Sequence, residues 1–233
     1  MTNNQPAHAP DLSVRFREPG RRFDDSPGEH RFSPSNSSSE GRVAGIARAA
    51  FLDRDGVINN NGYYVNSVED FELLPGAAAA IRRLNEAGVP VVVVTNQGGV
   101  ALEYISRDDL EAIHDKMERL LAEDGAYVNA VYAALTHGKG TVPELAKESR
   151  YRKPAPGMIE QARDDLGIDP HRSYMVGDTT TDMLAGEQAG CVTLLVRTGF
   201  GGTDGNEQSE PTVVVDDVSA AVEWILADIA RQA

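Results

Sequence analysis

The 233 residues predict an α/β fold: a Rossmann-like, doubly wound parallel sheet with helices on both faces. Three observations carry this. From residue 46 onward, short apolar runs alternate with longer stretches of helical periodicity. The runs are continuous in Val, Leu and Ala, as strands buried on both faces require. Three of the runs also end in polar, small or acidic residues, namely Asp53, Thr95 and Gly177-Asp178. Sheets of this kind hold their ligands at those carboxyl ends.

Taken in order, "ARAAFLD" (47–53), "VPVVVVT" (89–95), "VNAVYAAL" (128–135), "SYMVGD" (173–178) and "VTLLVR" (192–197) read as strands. Helices are expected near 76–87, 106–123, 156–166 and 180–189. Ser106 before two aspartates offers an N-cap with acidic first-turn residues, and Gly88 in "EAG" ends the first helix. A short strand, "TVVV" (212–215), and a helix over 218–232 close the chain. The β-α-β-α order argues one domain over residues 45–233. Residues 1–44 are rich in Pro, Ser, Asn, Gly and charge without periodicity, and read as a disordered polar tail. Its basic stretch "RFREPGRR" (15–22) reads as solvated, with contact to an anionic partner as the alternative.

Composition narrows the function. Net charge is -14, with 22 basic residues against 36 acidic ones. An acidic surface suits solubility in high salt, and a GC-rich coding bias that favours arginine over lysine explains the balance equally well. Nucleic-acid binding wants a basic footprint and is not expected. With no long apolar run and no signal-peptide pattern, no membrane partner is expected and the chain reads as cytoplasmic. The single cysteine, Cys191, excludes a disulfide framework or a cysteine-rich zinc site, and reads as core.

Carboxylates gathered at one sheet edge repel unless a cation sits among them. Asp53 and Asp178 at neighbouring strand ends suit a hard divalent ion, and Mg2+ with substrate phosphate in its shell fits better than calcium. A lone aspartate would read as a turn cap; Asp53, Asp55 and Asp178 together do not.

"FLDRDGVIN", "VVVTNQGGV", "RKPAPGM" and "MVGDTTTDM" resemble, in order, the four motifs of the haloacid dehalogenase superfamily, over residues 48 to about 200. The resemblance implies a phosphatase in which Asp53 is the nucleophile and forms an aspartyl-phosphate. It makes Asp55 the general acid and base, with neighbouring negative charge favouring its protonated form. The ion is held by the Asp53 and Asp178 carboxylates and the Asp55 carbonyl. Thr95 and backbone N–H groups around Arg54, Asp55 and Asn96 bind phosphoryl oxygens, and Lys153 adds positive charge. Asp182 reads two ways: as a metal or lysine-orienting residue, or as a helix-start acid.

The spacing leaves no room for a cap domain, because only about forty residues separate Asp55 from Thr95. The motifs are most similar to the capless branch that contains heptose bisphosphate and histidinol-phosphate phosphatases. In that branch the expected substrate contacts are Asn61 to Tyr64, Thr95 to Gly98 (with Asn96 and Gln97), and Arg152, whose planar fork suits a second phosphate. Three departures stand out. The branch's zinc loop is replaced by "ALTHGKGTVPELAKESRY" (134–151), with His137 alone, so no zinc is expected and the loop is either held by other contacts or mobile. Leu102 and Glu103 replace an arginine and a glycine, and Thr179 stands where a basic residue often follows the metal aspartate. The expectation is a magnesium-dependent phosphomonoesterase on a small phosphorylated metabolite, with the heptose bisphosphate ahead of histidinol phosphate. A polynucleotide phosphatase and a non-catalytic phospho-Asp module are the weaker alternatives. Oligomeric state is open, with a monomer favoured.

Overall fold

The computed structural model describes residues 11–16, 48–60, 65–205 and 209–232. Seven strands form one sheet: β1 (Leu12–Phe16), β2 (Ala50–Leu52), β3 (Val91–Asn96), β4 (Ala130–Ala134), β5 (Tyr174–Gly177), β6 (Val192–Val196) and β7 (Val213–Val215). Five α-helices alternate with them: α1 (Ala77–Glu86), α2 (Arg107–Glu123), α3 (Gly157–Leu166), α4 (Thr180–Ala189) and α5 (Val218–Gln232). Their positions agree with the sequence reading, and so do two of the caps. The Ser106 hydroxyl accepts the Asp109 N–H at 3.0 Å, and Gly88 just past α1 takes φ 69°.

The strand order is β1-β4-β3-β2-β5-β6-β7, and β2 to β7 all run parallel. β2 therefore lies between β3 and β5, and the chain reverses its direction of travel across the sheet there. Loops diverge on either side of such a switch point and leave a crevice above the strand ends. In β3, Val91 and Val93 join one apolar cluster with α1, α2 and α5, while Val92 and Val94 join a second with α3. Burial on both faces is why the run is continuous valine. Residues 97–106 separate β3 from α2, and the described residues between Asp55 and β3 form only a flap, turns and α1. No cap domain is inserted among the described residues.

One part of the 1–44 segment differs from its reading as a disordered tail. Leu12–Phe16 pairs antiparallel with β4 along its whole length. The sequence L-S-V-R-F alternates, which places Leu12 and Val14 on the cluster shared with α3. Ser13 and Arg15 point the other way, to Glu111 and Asp115 of α2, so this arginine of the basic stretch serves the fold.

Candidate active site

Asp53 directly follows β2, and residues 54–59 close into a tight turn as the Arg54 carbonyl accepts the Ile58 and Asn59 N–H groups. Asp53 therefore stands at the strand end and Asp55 on the turn beyond it. The Asp53 carboxylate accepts the Arg54 N–H at 2.7 Å and lies 2.9 Å from Lys153 Nζ. Lys153 Nζ also meets Asp182 at 2.5 Å and donates to the Val94 carbonyl at 2.9 Å. The lysine backbone is held at both ends by one side chain: Asn96 Oδ1 accepts Lys153 N–H and Asn96 Nδ2 donates to the Lys153 carbonyl. Lys153 is thus a buried ammonium, 4 % exposed, whose position is set by β3.

Asp182 takes both roles that the sequence left open. One oxygen pairs with Lys153, while the other accepts the Thr179 N–H at 3.0 Å in a capping box at the start of α4. Gly177 makes this approach possible, because a Cβ there would stand 2.2 Å from the Asp182 Cβ. Thr179, in the place of a basic residue, therefore works as the helix cap.

The carboxylates of Asp53, Asp178 and Asp182 offer oxygens within 4.8 Å of one another, all buried. The crowding shows in their protonation. Burial, repulsion from Asp182 and repulsion from Asp55 push Asp53 up to about 7 against the pull of Lys153. Burial and the charges of Asp53 and Asp182 push Asp178 up to about 8. Burial disfavours the Lys153 ammonium, yet Asp182 and Asp53 outweigh it and raise its pKa.

Asp55 behaves differently from its expected protonated form. Burial favours its proton, but Arg54 and hydrogen bonds from Asn59 and Gln97 overcome burial and hold it below the ordinary carboxylate range. The contacts are Arg54 Nη2 at 2.9 Å, Asn59 Nδ2 at 3.0 Å and Gln97 Nε2 at 2.8 Å. The expectation considered a neighbouring phosphate and overlooked the arginine next in sequence, which wins in the chain alone. Gln97 Nε2 also donates to Thr95 Oγ1 at 2.9 Å.

These groups floor a cleft of about 620 Å3. Asp53, Arg54, Asp55, Thr95, Asn96, Gln97, Gly98, Arg152, Lys153 and Asp178 all line it. Asp182 lies beneath, behind Lys153. Asn61 and Tyr64 lie outside the described residues, and the neighbouring Val65 and Asn66 reach the wall. Sequence reasoning missed two residues. Asn59, fully buried, holds Asp55, and its signal was a polar residue in an apolar turn. Phe200, 53 % exposed, stands on the rim while its N–H binds Asp178 at 2.8 Å. Gly199 at φ 62° brings that loop in, and a Cβ there would lie 2.0 Å from the Asp178 carboxylate; the glycine-rich "TGFGGTDG" was the available sign.

Comparison with known proteins agrees with this geometry. The pattern of the haloacid dehalogenase-like hydrolase family matches residues 50–120, and that of the HAD-hydrolase-like family matches residues 150–221. A D-glycero-D-manno-heptose-1,7-bisphosphate 7-phosphatase of Thermosynechococcus vestitus is 42% identical over 190 residues, which span 78% of this chain and 97% of that one. The chain belongs to the haloacid dehalogenase-like hydrolases. Among solved structures, a HAD-like phosphatase of Mesorhizobium loti has TM-score 0.73 at 31% identity, covering 98% of this hydrolase and 97% of its own chain. The D,D-heptose 1,7-bisphosphate phosphatase of B. bronchiseptica, complexed with magnesium and phosphate, has TM-score 0.70 at 35% identity, covering 78% and 99%.

This hydrolase is a phosphatase, and the B. bronchiseptica relative holds magnesium. The donor set fits the ion: three buried carboxylates supply hard oxygens, and the raised proton affinities of Asp53 and Asp178 reflect a negative field that a divalent cation relieves. No described helix is long and apolar enough to cross a membrane.

Proposed function

We propose that the chain hydrolyses a phosphate monoester of a small sugar through an aspartyl-phosphate on Asp53, with D-glycero-D-manno-heptose 1,7-bisphosphate as substrate and the 7-phosphate as the group removed. One observation carries the chemistry: Asp53 stands on the cleft floor, 2.9 Å from a buried lysine and grouped with Asp178. A carboxylate so placed can attack phosphorus while Lys153 offsets charge on both reactants. Relatives 37–44% identical carry the heptose bisphosphate phosphatase name, which supports the substrate.

In this reading an Asp53 oxygen bonds to phosphorus as the ester oxygen leaves, and Asp55 gives that oxygen a proton. Asp55 is ionised in the chain alone. A phosphate dianion beside it raises its proton affinity, so substrate arrives with the condition that arms the acid. Water then attacks phosphorus, Asp55 takes its proton, and the bond to Asp53 breaks. Thr95 and the N–H groups of the 54–55 turn hold phosphoryl oxygens, and Arg152 holds the far phosphate. Asp53 and Asp178, with the Asp55 carbonyl, hold magnesium, which supplies charge neutralisation at the phosphoryl group. A phosphorylated sugar as substrate supports a cytoplasmic enzyme.

The test compares kcat/KM for the heptose 1,7-bisphosphate and histidinol phosphate in the presence of magnesium. A preference for the bisphosphate of about tenfold or more is expected from the lost Arg152–phosphate contact in the other substrate. Equal or reversed preference keeps the chemistry and removes the sugar.

A further inference from the structure

The segment from the end of β4 to α3 brings His137, Arg152 and Lys153 to the cleft. Local contacts fold its middle: Leu145, buried, accepts the His137 N–H at 3.1 Å, and the Ala101 carbonyl accepts the Thr141 N–H at 2.7 Å. Its two ends converge on a residue from the far N-terminal side of the sequence. The Asp11 carbonyl accepts the Leu135 N–H at 3.0 Å, and the Asp11 carboxylate accepts the Ser149 hydroxyl at 2.7 Å. Ser149 passes the hold onward. Its hydroxyl accepts the Tyr151 N–H at 3.2 Å, and its carbonyl accepts the Arg152 N–H at 3.1 Å. Arg152 closes the circuit, donating from Nη1 to the Thr136 carbonyl at 3.1 Å, beside Leu135.

The seat of this loop has little slack. A Cβ on Gly98 would stand 2.9 Å from Arg152 Nη1, 3.1 Å from the Thr136 carbonyl oxygen and 3.2 Å from the His137 Cβ. The loop therefore rests on the Thr95-to-Gly98 turn, and a shift of its ends would displace Arg152 from its place at the cleft. Asp11 is itself buried, 6 % exposed, with Lys147 Nζ 3.9 Å away. It directly precedes β1, whose register against Ala130–Ala134 fixes it at the end of β4.

We infer that Asp11 is a positioning residue for the substrate loop: it clasps both ends, and through Ser149 it sets where Arg152 stands. The inference rests on the proposed reading in which the cleft takes a phosphorylated sugar and Arg152 holds its far end. Two of these bonds come from the Asp11 backbone position and side chain separately, so the carboxylate can be tested without disturbing β1.

The experiment uses the full chain as Asp11→Ala, Asp11→Asn, Ser149→Ala and the Asp11→Ala/Ser149→Ala double variant. Hydrogen exchange is read at the amides of 135–152. Kinetics are read on the heptose bisphosphate and on p-nitrophenyl phosphate, which has no second phosphate to reach Arg152. Asp11→Ala and Ser149→Ala should each speed loop exchange about tenfold and raise KM for the bisphosphate about tenfold, with kcat held within about twofold. Turnover of p-nitrophenyl phosphate should be unchanged. Asp11→Asn keeps an acceptor for the Ser149 hydroxyl and should stay near wild type, and the double variant should be no worse than either single. Unchanged loop exchange in both alanine variants overturns the clasp. So does a parallel loss of kcat on both substrates, which marks general destabilisation, or an Asn variant as damaged as Ala. If the unmodified chain rejects the bisphosphate, the substrate reading falls while the exchange data still decide the clasp.

Discussion

Asp182 assigns its two oxygens to two tasks, the α4 cap and Lys153, and so couples a helix start to the cleft floor. Sequence left Asp182 open between orienting a metal or Lys153 and starting a helix; the approach of β3, which carries Lys153 by way of Asn96, shows that the cap and the lysine are held together. Asp53 is the complementary case, legible by position and functional at a cost in stability. Its raised proton affinity means that the folded chain holds it against burial and two like charges. Asp53→Asn removes one of those charges while keeping the shape. Turnover should fall about a thousandfold or more, since the amide cannot form the intermediate. The metal-free fold should be as stable as the unmodified chain, and the stabilisation by magnesium should shrink. Phosphate release near the unmodified rate would remove Asp53 as nucleophile. Asp55 was legible as a site residue but not in its protonation, because the Arg54 guanidinium folds back onto it and the contacts from Asn59 and Gln97 converge only when the turn and the β3 end meet.

At the scale of elements, β2 to β6 were readable because burial on both faces writes itself as unbroken apolar residues, and the edge strand β7, with Val214 exposed, was readable from its valine run alone. β1 was not, because five alternating residues stand in a polar, proline-rich surround, and a window wide enough to show low complexity averages them away. The β3–α2 connection carries the clearest local strain. Glu103 takes φ 57°, alone among the described non-glycine residues, at the position where the family resemblance led us to expect glycine. Its carboxylate meets the Thr141 hydroxyl at 2.5 Å, which offsets part of the backbone cost. A left-handed backbone disfavours any Cβ by about 1–2 kcal/mol. Glu103→Gly should therefore be more stable than Glu103→Ala by about 1 kcal/mol, the reverse of the usual order of the two residues. Denaturant titration of the two variants measures this, and equal midpoints would mean that the turn relaxes out of the left-handed region.

For the whole molecule, the active site's electrostatics set how stability depends on pH. In the metal-free chain Asp53 and Asp178 titrate near 7 and 8, against an ordinary value of 3.8. Between those limits the folded chain keeps protons that the unfolded chain has already released. Stability must then fall as pH rises through the window, because folding loses its advantage with each carboxylate that ionises in the cluster. Magnesium reverses the preference, since it binds the ionised carboxylates and stabilises only the folded chain. Below neutrality protons compete with it, so its apparent affinity should rise with pH and its binding should release protons. The melting temperature without metal should decline from about pH 5.5 to pH 8, and an excess of magnesium should flatten or invert that slope. Asp178→Asn should remove much of the difference between the two slopes, as it takes away the carboxylate with the highest proton affinity. Parallel slopes with and without magnesium would place the pH dependence elsewhere in this strongly acidic chain, and would separate the strand-end carboxylates from the ion that their crowding calls for.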